Sequence, residues 1–217
     1  MPKTTAPLLS FGASGQIAKT QVYATWKGIP YARRYSIPAN PNTLKQSNNR
    51  DIWRMLGQAW LYAPTPIQAA FDTYATGKPL TGRNKFFQDN QRALAGDPPK
   101  TDLEGFVFSP GARGGLPPTN LVATGGADQI TFTADLPEVP AGWALTASIA
   151  AAIPNQAPQD TFSGTWFVNR DTTTPEENVV TGISIAQEYA CGFFLEWTKP
   201  DGKTAYSISL FGLATTT

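Results

Sequence analysis

The sequence predicts an α+β protein: an N-terminal β-hairpin and a three-helix unit, followed by a C-terminal β-sandwich. Three observations carry this. Two β-rich runs flank Lys27-Gly28, three amphipathic stripes with capping signals fill residues 43–96, and about seven short β-rich runs fill residues 119–213. Charge divides the chain at a similar place. Residues 1–99 carry twelve Lys and Arg against four Asp, a net +8, whereas residues 100–217 carry five against twelve acids, a net −7. That shift predicts a hairpin and helix domain over 1–97, a linker over 98–118 and a sandwich over 119–217.

Residues 16–26, QIAKTQVYATW, are β-branched and aromatic, and residues 30–37, PYARRYSI, extend again beyond Lys27-Gly28. Two such runs around a short Gly-containing connection make a hairpin. If 16–26 is one strand, Ile17, Lys19, Gln21, Tyr23 and Thr25 share one face. Ala18, Thr20, Val22, Ala24 and Trp26 share the other, so neither face is cleanly apolar. A lone hairpin is marginal in water and has to dock on something.

Pro38-Ala39-Asn40-Pro41 bars a helix, since Pro41 pushes Asn40 into an extended conformation. Thr43 with Gln46 then reads as a capping box, followed by the stripe Ile52, Trp53, Leu56, Ala59, Trp60 and Ala63, which Pro64 ends. Thr65-Pro66-Ile67-Gln68 reads as a second capping box, with Ile67, Ala70, Phe71, Tyr74 and Ala75 as its buried face and Gly77 at the C-cap. Thr81 opens a third helix through Phe86, Phe87, Asn90, Ala93 and Leu94, closed by Gly96-Asp97-Pro98-Pro99.

Residues 109–118, SPGARGGLPP, read as a loop or linker. Strands are expected at 119–124, 129–135, 142–153, 161–169, 179–186, 189–198 and 204–213, with Lys199-Pro200-Asp201-Gly202 as the turn before the last. Seven short strands over roughly 100 residues suggest a sandwich of immunoglobulin or fibronectin type III character. With no Cys…Trp…Cys pattern, the fibronectin-like version is favoured.

Composition excludes much chemistry. The chain holds no His and one Cys, Cys191, which reads as a small buried side chain rather than a nucleophile. No catalytic, cofactor-binding or metal-ligating set is expected, and the protein is read as a non-enzyme. Gly111-Ala-Arg-Gly-Gly lacks the ending and the helix of a phosphate loop. Asp160, Asp171, Glu176 and Glu177 match no calcium spacing, and a pairing of Glu188 with Glu196 on adjacent strands would name no reaction. No run approaches the roughly 20 apolar residues of a membrane span. The first fifteen residues lack the pattern of a signal peptide, so folding in a cytoplasm is expected.

What remains is a basic, aromatic N-terminal half. Tyr23, Trp26, Lys27, Tyr31, Arg33, Arg34, Tyr35, Arg50 and Arg54 are the candidate partner-binding residues. Tyr, Trp and Arg are the types enriched at interface hot spots. Arg33 and Arg34 point to opposite strand faces, whereas Arg50 and Arg54 lie one helical turn apart. A protein surface is favoured over nucleic acid, and DNA contact is expected to be weak.

Trp26-Lys27-Gly28, Arg33-Arg34-Tyr35 and Pro38-Ala39-Asn40-Pro41-Asn42-Thr43 with Gln46, then Gly82-Arg83-Asn84-Lys85-Phe86-Phe87 with Asn90, resemble a pattern in virion structural proteins of tailed bacteriophages. The likeness covers roughly residues 12–94 by motif and the rest by architecture. It implies a non-enzymatic particle protein made in the host cytoplasm, with other virion proteins as partners and either a homo-oligomer or several copies on the particle. Capsid decoration or cement is the first expectation and a tail or neck component the second. A carbohydrate-binding adhesin using exposed Trp143, Trp166 or Trp197 and a nucleic-acid-binding protein are the other classes open at this point.

Overall fold

The computed structural model describes residues 15–26, 29–37, 39, 42–96, 98–158, 160, 162 and 164–217. The chain divides into two compact units, Met1–Asn42 and Thr43–Thr217.

The first unit is a three-stranded antiparallel sheet, β1 (Gly15–Ile17), β2 (Gln21–Trp26) and β3 (Ile29–Arg34), in that order. The expected strand over 16–26 is therefore two strands. Ala18 and Lys19 turn the chain with φ of 44° and 54°, and the Thr20 N–H donates to Ile17 O at 2.8 Å. No Gly or Asn marks this turn, so its composition did not signal it. The Lys27-Gly28 turn and Pro38, Asn40 and Pro41 of the exit lie outside the described residues.

The second unit opens with three helices. In α1 (Leu44–Tyr62), Thr43 caps as expected, its Oγ1 accepting from the Gln46 N–H at 3.3 Å. In α2 (Thr65–Ala75) the expected capping box does not form. Pro64 occupies the cap and Thr65 is already helical, while Gln68 Nε2 instead donates to Trp60 O at 3.3 Å. Gly77 follows with φ +76°, the left-handed stop expected there. For α3 (Gly82–Leu94), Thr81 Oγ1 accepts from the Asn84 N–H at 3.2 Å. A Cβ on Gly82 would lie 2.8 Å from the Asp72 backbone nitrogen, so glycine is what lets α3 start against α2.

The strands that follow are β4 (Pro110–Ala112), β5 (Thr119–Gly125), β6 (Gln129–Asp135), β7 (Ala144–Pro154), β8 (Phe167–Asp171), β9 (Glu177–Thr181), β10 (Glu188–Thr198), β11 (Thr204–Ile208) and β12 (Leu210–Thr215). One sheet runs β8-β7-β10-β11-β4, with β12 also paired to β10, and the other runs β5-β6-β9. Strands β11 and β12 pair with successive stretches of β10 as one broken strand, so β5-β6-β9 packed on β8-β7-β10-β11/β12 has the three-on-four order of a fibronectin type III sandwich, with β4 added at the edge. Three expectations shift. The strand expected over 161–169 begins only at Phe167, the one over 179–186 is displaced to Glu177–Thr181, and the last breaks at Ser209.

Helices and sandwich share one core. Along β10, Tyr189, Cys191, Phe193, Leu195 and Trp197 face the β5-β6-β9 sheet, while Ala190 and Phe194 face the helices. Strand β7 does the same, with Ile149, Ala151 and Ile153 toward the helices and Ala150 and Ala152 away from them. The central sheet is thus covered on both faces, which explains the nearly unbroken apolar runs of β7 and β10.

The linker expected over 98–118 is part of that core. Leu103, Phe106 and Phe108 are fully buried, and β4 pairs with β11. Asn90, wholly buried, binds this segment to α3: its Nδ2 donates to Val107 O at 3.1 Å and its Oδ1 accepts from the Val107 N–H at 2.7 Å. The division expected at 97/98 is accordingly replaced by one between Asn42 and Thr43. The charge shift marks a change of surface, and the turn residues between the buried aromatics serve tight packing.

Gly192 makes room for Phe108, since a Cβ there would fall 2.8 Å from the Phe108 Cβ and closer still to its ring. Gly192→Val should cost at least the ~1–3 kcal/mol typical of overpacking, measured by urea unfolding. A loss below ~0.5 kcal/mol would contradict this seating. Limited proteolysis should likewise spare residues 98–118 and leave a resistant product beginning near Thr43.

Candidate functional site

Register decides what the small sheet presents. Trp26 pairs with Ile29, Ala24 with Tyr31 and Val22 with Arg33. Directly opposed residues share a face, so Val22, Ala24, Trp26, Ile29, Tyr31 and Arg33 lie on one side. Gln21, Tyr23, Thr25, Pro30, Ala32 and Arg34 lie on the other, where the Tyr23 hydroxyl donates to Gln21 Oε1 at 2.9 Å. One face is therefore an apolar, aromatic stripe ending in an arginine. Trp26 is 65% exposed and Ile29 42%, and none of the described residues of this unit is fully buried.

Both edges of the sheet are blunted. Strand β1 has three residues, and β3 carries Pro30, which has no N–H, beside Arg33 and Arg34. Such edges resist strand addition, so the face rather than the edge is the surface to be covered.

The nine candidate residues are thus divided. Trp26, Tyr31 and Arg33 share the apolar face, Tyr23 and Arg34 the opposite one, and Tyr35 follows β3 with its N–H donating to Thr20 O at 2.8 Å. Lys27 lies outside the described residues. Arg50 and Arg54 belong to α1 in the other unit, where Arg54 is paired with Asp51 at 2.7 Å. Sequence reasoning missed the apolar face because it treated 16–26 as one strand and read each strand separately. Pairing residues outward from the two-residue Lys27-Gly28 connection would have found it.

On the second unit, Trp53 is half exposed rather than buried, its ring 5.0 Å from Phe87, over which the Arg83 guanidinium sits at 5.2 Å. The tryptophans considered for carbohydrate are not exposed platforms. Trp197 is wholly buried and its Nε1 donates to Leu116 O, while partly buried Trp166 donates to Ala59 O at 3.1 Å. Trp143 is enclosed between Trp197 and the Lys199 ammonium. Glu188 and Glu196 share strand β10 and do not oppose each other: Glu188 accepts from Asn155 at 2.6 Å and Glu196 from Arg170 at 2.8 Å. The Thr173 N–H and the Thr173 and Thr174 hydroxyls hold the Asp171 carboxyl well below the usual carboxylate range while closing their own turn. Among the described residues, no three Cys, Asp or Glu side chains gather as a metal site, and no helix is long and apolar enough to cross a membrane.

No protein-family model matches the chain, and no curated protein matches its sequence. Among solved structures it is similar to a myokine at 13% identity, covering 47% of this chain and 97% of that one with a TM-score of 0.35. It is also similar to the fn3 domain of the human collagen alpha-1(XX) chain, at 16% identity over 50% and 90% with a TM-score of 0.34. The FN5 domain of Drosophila Lar is similar at 15% identity, over 47% and 100%, with a TM-score of 0.32. The fold assignment rests on strand order, and these likenesses carry nothing about function.

Burial pushes the Cys191 thiol from 9.0 up to about 12, and burial together with the nearby Glu196 charge pushes the Tyr206 hydroxyl from 10.0 up to about 12. Both protons stay on in the folded chain while the unfolded chain releases them. Stability present below pH 9 should therefore fall as pH rises toward 12, by up to ~1.4 kcal/mol per pH unit for each group. Urea unfolding at pH 8 and at pH 10.5 checks this; Cys191→Ala with Tyr206→Phe should flatten the decline.

Proposed function

We propose that this chain is a non-enzymatic structural component of a tailed-bacteriophage particle, present in several copies and attached through the sheet β1-β2-β3. The observation that carries the reading is the apolar face of Val22, Ala24, Trp26, Ile29 and Tyr31, half exposed on a unit without a buried core among its described residues. A small sheet of this kind gains its stability from what it packs against. All five ionisable side chains among the charged types in Met1–Asn42 are basic, so the attachment surface is read as one that supplies carboxylates. Capsid-surface decoration is the first placement within the particle and a tail or neck position the second.

The other classes have less support. The tryptophans of the carbohydrate reading are engaged within the fold. The nucleic-acid reading loses its contiguous basic patch, because Arg33 and Arg34 lie on opposite faces and Arg54 is paired.

Co-sedimentation with purified particles tests the proposal. Trp26→Ala, and separately Arg33→Glu with Arg34→Glu, should each reduce the bound fraction more than about tenfold while circular dichroism stays unchanged, as expected of hot-spot residues. Variants that bind particles like the parent chain would overturn the role given to this face.

A further inference from the structure

Charge is more sharply divided between the two units than between the two halves of the sequence. All sixteen acids lie after Asn42, whereas Lys3, Lys19, Lys27, Arg33 and Arg34 precede Thr43. The second unit, with the remaining twelve bases, carries a net −4. It also holds a surface of opposite character to the small sheet. Strand β6 buries Ile130, Phe132 and Ala134, which turns Thr131, Thr133 and Asp135 outward. Val122 of β5 pairs with Thr133, and Val179 and Glu177 of β9 pair with Thr131 and Thr133. The outward face of β5-β6-β9 is therefore β-branched and rigid, with Val122 56% exposed, and it carries carboxylates with no Lys or Arg on any of its three strands.

We propose that the apolar face of β1-β2-β3 in one copy packs on the outward face of β5-β6-β9 in a second copy, joining copies head to tail. The inference deepens the reading of the small sheet as a docking surface and rests on it. Both sheets have three strands, and two sheets of matched width pack face to face about 10 Å apart. Arg33 stands on the packing face beside Tyr31 and Trp26, and Glu177 and Asp135 supply its counter-charge; one Asp135 oxygen accepts from Asn120 at 2.6 Å and leaves the other available. Like-on-like pairing of two small sheets is disfavoured, since each brings bases and no acid. The contact joins two different surfaces, so it repeats along a chain or closes a ring.

The test is the mass of the full-length protein in solution, by sedimentation equilibrium and light scattering, with two charge-reversed variants. One is Arg33→Glu with Arg34→Glu; the other is Asp135→Arg with Glu177→Arg. The parent chain should exceed its 23.3 kDa protomer mass and grow with concentration. Each variant alone should remain at protomer mass, with the circular dichroism of the parent, because its two docking faces then carry like charge. An equimolar mixture of the two should associate again. Raising salt should weaken the parent association about tenfold or more, as screening of partly exposed charges requires. A parent chain that stays monomeric at every concentration, or a mixture that stays at protomer mass, overturns the proposal. If that monomeric chain still sediments with particles, the attachment reading stands and only the second copy is excluded.

Discussion

Strands β7 and β10 are covered on both faces, and most of the second unit follows from that. Ten residue pairs join the two strands along nearly their full length. On one side their side chains meet Ile130, Phe132 and Val180 of the smaller sheet, and on the other Ile52, Phe71 and Phe86 of the helices. A strand in this position has no solvent face, so it cannot alternate polar with apolar residues. The helices are the second cover of the central sheet and not a neighbouring domain. Removing them would expose Ile149, Ala151, Ile153 and Phe194 together.

Several polar groups within this double core fix register. Ser209 Oγ accepts from the N–H groups of Phe108 and Ser109 at 3.1 Å, and the Ser109 hydroxyl donates to Ser207 O at 2.6 Å. Buried Asn178 donates to Ser148 Oγ at 3.0 Å and accepts from Asn169 at 3.0 Å, linking the two sheets where β8 and β9 leave their edges. Each such group would cost about 1–3 kcal/mol if left unpaired in the interior, so these networks tie the entering segment and the sheet edges to one arrangement. Asn90 and Gly82 belong with them. Gly82, Phe86, Phe87 and Asn90 are the packing residues of the α3 corner. Among its described residues the small sheet has no comparable interior.

Much of this was legible in the sequence, and the failures have physical causes. Thr43 and Thr81 predicted two helix starts because a side-chain cap is a local interaction, and Gly77 predicted a stop for the same reason. The sandwich class was legible from spacing and turn residues, whereas β1, β4 and the break of the last strand at Ser209 were not. The boundary was not, because Pro and Gly around Leu103, Phe106 and Phe108 look the same whether they loosen a linker or seat aromatic rings. The information was present elsewhere, in the unbroken apolar runs of β7 and β10, which imply a cover on both sides. On the small sheet the aromatic and basic residue types were legible from the sequence. Their division between faces needed the register that only strand pairing supplies.

The account stands on the helices and the sandwich unfolding as one body around β7 and β10. Native-state hydrogen exchange across a denaturant series measures this directly. Amides of α2, α3 and β10 should merge into one isotherm with a common free energy of opening. Helix amides that open at a clearly lower free energy, while β10 keeps full protection, would contradict it.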